Sequence, residues 1–202
     1  MSAQPSEILP EPELSEPVVP DANSIVPSVD DVPLSSETTR SDAQKRLDDL
    51  FAELRKTRNA NAANRLANSI WSEWFKSGSA SIDLMLDWSN AAVERKDYNI
   101  ALDFLDQIVT KMPEFAEGWN RRATLHYTMS NFSKSMVDIQ KVLALEPRHF
   151  GALSGMATIF ERTGNNKAAL DAWQRALAVY PAMKSGQEAI VRLSDVLEGD
   201  PT

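Results

Sequence analysis

Residues 150–183 read FGALSGMATIFERTGNNKAALDAWQRALAVYPAM. Leu153, Met156, Ala157 and Phe160 fall three and four apart, as do Ala169, Trp173 and Ala176. Such spacing lays apolar side chains along one face of a helix. Gly164 and Asn165 break the two stripes, and Pro181 follows the second. The stretch therefore reads as helix, turn, helix, stop. Working outward, the stop recurs: Pro113, Pro147 and Pro181 are each 34 residues apart. Other columns share that register. Ser89, Ala123 and Ala157 form a small-residue column, and Ala101, Ser135 and Ala169 form another. Met85, Trp119 and Leu153 make a bulky column, as do Leu105, Ile139 and Trp173.

Helix pairs repeating every 34 residues with these columns resemble the tetratricopeptide repeat (TPR), and the stretches Trp119-Asn120-Arg121-Arg122-Ala123-Thr124 and Glu146-Pro147-Arg148-His149-Phe150-Gly151-Ala152-Leu153 resemble small bacterial TPR proteins. The resemblance covers roughly residues 48–183. It implies an all-α, right-handed solenoid of repeats 82–115, 116–149 and 150–183, followed by a capping helix over 184–198. Upstream, Phe51, Leu54, Ala67 and Trp71 fit the frame, but Ser79 stands where a proline is due. Residues 41–81 are therefore expected to be a degenerate first repeat of two helices. One repeat cannot bury its own apolar face, so neighbours and caps are needed.

Residues 1–40 differ in kind. They hold eight acids, one base and seven of the 11 prolines, with no aromatic and no glycine. A stretch so poor in apolar bulk cannot offset its ordering entropy, so a disordered acidic arm is expected. The rest carries 21 acids and 20 bases. The charge of -8 thus belongs almost wholly to the arm. A near-neutral body argues against nucleic acid as a partner, since phosphate binding requires clustered Lys and Arg.

Several chemistries find no residues. With Cys 0, thiol catalysis and cysteine metal sites are excluded. His126 and His149 lie 23 apart with no carboxylate at ligand spacing, and no glycine loop fits a phosphate. The expectation is a non-enzyme with no catalytic, cofactor or metal residues. No segment is long and apolar enough to span a membrane. No signal peptide is visible, which as written suggests the cytoplasm. A periplasmic location follows if an export signal, which similar bacterial proteins often carry, has been removed.

The TPR resemblance implies that the first helix of each pair lines a concave groove holding a peptide or helix of a partner protein. The faces turned from the apolar columns give Asn90, Asn120, Arg121, Thr124, Tyr127, Ser154, Gly155, Thr158 and Arg162 as groove residues. The alternative is that these are ordinary solvated helix faces. TPR domains that hold the C-terminal carboxylate of Hsp70 or Hsp90 place basic clamp residues on successive groove helices. Here Asn90 fits, but Leu86, Gly151 and Gly155 stand at basic positions, so no such clamp is expected. A self-assembling homodimeric scaffold is the alternative function.

Four details stand out. Gly151 and Gly155 leave a notch, either for a partner's backbone or for close packing against the Trp119 helix. Arg122 occupies a core position and needs a partner, Asp138 first and Asp106 second, unless it snorkels to the surface. His126 is expected to face the core and be hydrogen-bonded, while Arg148 and His149 are expected on an exposed turn. The aromatic run Trp71-Ser72-Glu73-Trp74-Phe75 is expected to pack in part on the first full repeat.

Overall fold

The computed structural model describes residues 35–199. These form nine α-helices: α1 Ser35–Lys56, α2 Ala60–Trp74, α3 Ala80–Glu94, α4 Tyr98–Lys111, α5 Ala116–Thr128, α6 Phe132–Leu145, α7 Phe150–Arg162, α8 Asn166–Val179 and α9 Lys184–Gly199. The expected arm lies outside the described residues up to position 34. Its last part does not: Ser35–Arg40 begin α1 rather than belonging to a structureless segment.

Helices α3 and α4, α5 and α6, and α7 and α8 pack as antiparallel pairs, and α9 packs on α8. The small-residue columns explain the close pairing. Ser89, Ala101, Ala123, Ser135, Ala157 and Ala169 are all buried. The Ser135 hydroxyl satisfies itself by donating to the Ala123 carbonyl at 2.7 Å. The turns inside the pairs share one geometry. Lys96, Ser130 and Gly164, again 34 apart, take the left-handed conformation at φ 65, 60 and 76. The next residue closes each helix end by donating five residues back, as Asn131 N–H does to the His126 carbonyl at 2.8 Å. Only Gly164 has the side chain, a hydrogen, that this conformation favours.

The register extends into α9. Trp119 Nε1 donates to the Pro113 carbonyl, and Gln187 Nε2 donates to that of Pro181 in the same way. Gly186 lies against Leu177, where an added Cβ would stand 2.9 Å from its Cδ2. Helix α9 thus sits on α8 as the first helix of a further pair would.

The N-terminal pair departs from this order. Helices α1 and α2 do not build the layer before α3; they fold back onto the far end of the stack. Phe51, Leu54, Ile70 and Trp74 share one apolar core with α7, α8 and α9, while Ile82, Leu86, Leu105 and Ile108 form a second. Asn64 meets the Tyr180 hydroxyl, and Arg148 donates to Asp48 at 2.7 Å with its guanidinium 4.2 Å from the Phe51 ring centre. The expectation that Trp71–Phe75 would pack in part on the first full repeat holds for Phe75, which borders a cleft with Asp83, Leu86, Asp87 and Asn90 of α3, and is corrected for the two tryptophans. Trp71 and Trp74 lie against His149 and Phe150, at the start of α7.

Candidate binding face

The site is built on α5 and α7, whose inner faces adjoin. Between them lies a cavity of about 140 Å³. Its floor is apolar, with Ala123, Ile139, Ala152 and Ile159, and its rim is polar, with Asn120, Thr124, Tyr127 and Thr158. Gly151 and Gly155 both border it, for different reasons. A Cβ on Gly151 would come within 2.6 Å of Trp71 Cη2, so that glycine admits the indole of α2, not the Trp119 helix. A Cβ on Gly155 would meet only Ile139 Cδ1, at 3.5 Å, an ordinary contact. Gly155 is therefore the residue that leaves the cavity open.

Beside the cavity runs a wider cleft of about 590 Å³, walled by α5 on one side and α2 on the other. Asn68, Trp71, Ser72 and Phe75 face Glu117, Asn120, Arg121 and Thr124 across it. Asn120 and Thr124 border both spaces, so cavity and cleft lie side by side.

A buried carboxylate organises the α5 wall. Glu117, 2% exposed, accepts from Asn120 Nδ2 at 2.9 Å and from Arg121 Nε at 2.7 Å. Arg121 then donates through Nη1 to Asn90 Oδ1 at 3.0 Å, tying α5 to α3. Its guanidinium also lies 4.7 Å from the Phe75 ring centre. Asn90, Asn120 and Arg121 are thus engaged within the chain. Arg162 stacks over Tyr127 at 5.4 Å. Ser154 donates to the Phe150 carbonyl and approaches Met183, so its hydroxyl serves the helix and the neighbouring turn. Among the nine expected groove residues, Asn120, Thr124, Tyr127, Gly155 and Thr158 line the cavity together.

His149 is the residue the sequence reading misplaced. It is fully buried, not on an exposed turn edge. Its Nδ1 accepts from the Ala152 N–H at 3.0 Å, capping α7. Its Nε2 stands 3.5 Å from Glu117 Oε2 and makes no hydrogen bond. Arg148 beside it is half-buried, with Glu146 and Asp48 holding its guanidinium.

On the opposite side, Arg122 forks onto Asp138, Nε to Oδ2 at 2.9 Å and Nη2 to Oδ1 at 2.7 Å. It reaches Asp106 through Nη1 at 2.8 Å. Both expected partners are present. The hydrogen bonds to Asp138 hold the guanidinium above its ordinary pKa despite burial. His126 faces inward but, contrary to expectation, its Nδ1 makes no hydrogen bond, and Nε2 is 4.0 Å from Asp138. Burial pushes the His126 pKa below its ordinary value.

No group of three or more acidic or histidine side chains among the described residues has the arrangement to hold a metal ion. No helix among them is long and apolar enough to cross a membrane.

No family model matches the chain. A TPR repeat-containing protein of Rhizobium etli is 48% identical over 162 residues, covering 80% of this chain and 79% of that protein. This chain belongs to the TPR proteins. The fold has the same kinship. The TPR domain of Sgt2 from Aspergillus fumigatus superposes with TM-score 0.55 at 18% identity, over 61% of this chain and 87% of that domain. The first TPR domain of Spaghetti (RPAP3), solved bound to the HSP90 peptide SRMEEVD, gives TM-score 0.55 at 16% identity, over 58% and 93%. TPR proteins of this kind are protein-interaction modules.

Proposed function

We propose that the chain is a non-catalytic adaptor that binds a peptide or helix of a partner protein across α5 and α7. Three repeats, 82–115, 116–149 and 150–183, form the binding body, with 184–198 as its cap and 41–81 as an added helix pair. The observation that carries this reading is the cavity over Gly155, apolar below and polar at its rim, adjoining the cleft beside α2. A small apolar side chain fits the floor, while Asn120, Thr124 and Thr158 offer donors and acceptors to a backbone. Supporting evidence is the peptide complex of the Spaghetti domain, a structure of the same fold. That peptide's carboxylate is not the expected ligand here. Leu86, buried, and Gly151, covered by Trp71, stand where a carboxylate clamp needs bases.

A photo-cross-linking residue at Thr158, compared with one at Lys141, tests the assignment. The Thr158 probe is expected to trap a discrete partner, and Gly155→Leu to abolish that product while leaving the fold intact. Equal trapping at both positions would sink it. A homodimer is the second reading, favoured by Val191 and Val196, 63% and 45% exposed on the outer face of α9. Sedimentation across a concentration series separates the two.

A further inference from the structure

The edge of the stack at α3 and α4 is bare. Leu84, Trp88 and Ile100 are 47%, 48% and 47% exposed, and Trp88 leans on the half-buried Phe104 at 5.5 Å. Their counterparts 34 residues on are Gly118, Arg122, Lys134 and Asp138. These are the residues that receive the preceding pair. Gly118 abuts Ile108 and Val109, Arg122 grips Asp106, and Lys134 and Asp138 line a cleft with Leu102 and Asp106. In the next copy, Ala152, Met156 and Ala172 are buried. The exposed residues therefore mark a seat shaped for the second helix of an upstream pair, left empty of one.

The chain owns such a helix. In α4 the residues that press on α5 are Leu102, Asp106, Ile108 and Val109. Stepping back 34 gives Asn68, Ser72 and Trp74 of α2 and Phe75 at its C-terminal end. This is the face that α2 now turns to α5 and α7, so it can serve one seat at a time. The connection from α2 to α3 allows either course. It runs over residues 75–79, has no proline, and contains Gly78 at φ 79 with open space around it.

We propose that the α3–α4 edge is a second seat for the α1–α2 pair of this same chain. Moving there, α2 covers Trp88 and Leu84 and strips the wall from the cleft along α5. In the inner seat it restricts that cleft. The consequence for a partner rests on the binding reading above; the existence of the second seat does not.

The chain has no cysteine, so introduced pairs can carry spin labels cleanly. Arg65→Cys with Lys184→Cys reads the inner seat, because the adjacent Asn64 meets Tyr180 there. Arg65→Cys with Asn99→Cys reads the edge seat, because equivalent positions of successive pairs lie side by side in a solenoid. Two variants release α1–α2. Gly151→Val drives a branched side chain into Trp71, and Arg148→Ala removes the hold on Asp48 and Phe51 without entering either seat. In both, the short 65–99 population is expected to rise several-fold over the parent chain, and Trp88→Asp is expected to remove it. Loss of the 65–184 distance with no gain at 65–99 in either variant would overturn the proposal. So would a 65–99 population that vanishes on dilution with unlabelled chain, since a second copy would then be supplying α2. No partner is present in these measurements, so failure to bind a peptide and failure to reseat are read separately.

Discussion

Trp74 lies flat on His149, ring centres 4.0 Å apart and planes 5° from parallel. This stack joins α2 to the start of α7, and Nε2 of the histidine lies 3.5 Å from the buried Glu117. One aromatic contact thus connects the folded-back helix to the carboxylate that positions Asn120 and Arg121. Trp74→Ala removes a buried ring that also touches Phe51 and Phe150. Truncating a buried aromatic costs about 3–5 kcal/mol, and that loss is the expected result in urea unfolding. Phe75→Ala, at an exposed position, is expected to cost well under half as much.

Arg122 gives a different test. Asp138 is buried and its carboxylate is held by this one guanidinium fork. Arg122→Leu leaves that charge without a partner, with an expected loss of about 3 kcal/mol. Arg122→Leu with Asp138→Leu removes both charges and should recover most of it. Denaturant midpoints of the two variants decide the point, and equal instability would contradict it.

These two sites show what was legible in the sequence. Arg122 was readable because its partners are near in sequence: Asp138 on the paired helix and Asp106 on the preceding one are each 16 residues away. The columns, the turns and the stops are local features of the same kind. The seat of α1–α2 is not local. Arg148 reaches Asp48 across 100 residues, and Asn64 reaches Tyr180 across 116. Periodicity showed which face of α2 is apolar, and that face suits either seat. His149 was misread for the same reason: it borders a turn in its own repeat, and the distant Trp71 and Trp74 cover it. One signal was available. Leu84 is bulky where Gly118 and Ala152 are small, which is not what a tightly covered edge requires.

His126 makes stability depend on pH. Burial lowers its folded pKa below 6.5, outweighing the pull of Asp138 and Asp106, while Arg122 and Lys134 add to the lowering. The unfolded chain therefore binds the proton first as pH falls. The stability contribution is complete above about 6.5 and is lost as pH drops from there toward the depressed folded value. Unfolding free energy measured from pH 7.5 to 5 should fall, by at most about 1.4 kcal/mol per pH unit from this group. His126→Phe should flatten that slope.

Ser130 holds a left-handed backbone at φ 60, where Gly164 stands one repeat later. A side chain there costs about 1 kcal/mol relative to glycine. Ser130→Gly is expected to raise the unfolding midpoint by up to that amount, read by thermal melting. The same change at Ser133, inside α6, should lower it.

The fold-back of α2 is the claim on which the binding face and its second seat depend. Nuclear Overhauser contacts from the Trp74 indole test it directly in solution. The predicted result is a set of cross-peaks between the Trp74 ring and the His149 and Phe150 rings, with the His149 ring protons shifted upfield by the stacked indole. Trp74 cross-peaks to Leu84 and Trp88 as the dominant set, with none to His149, would contradict it.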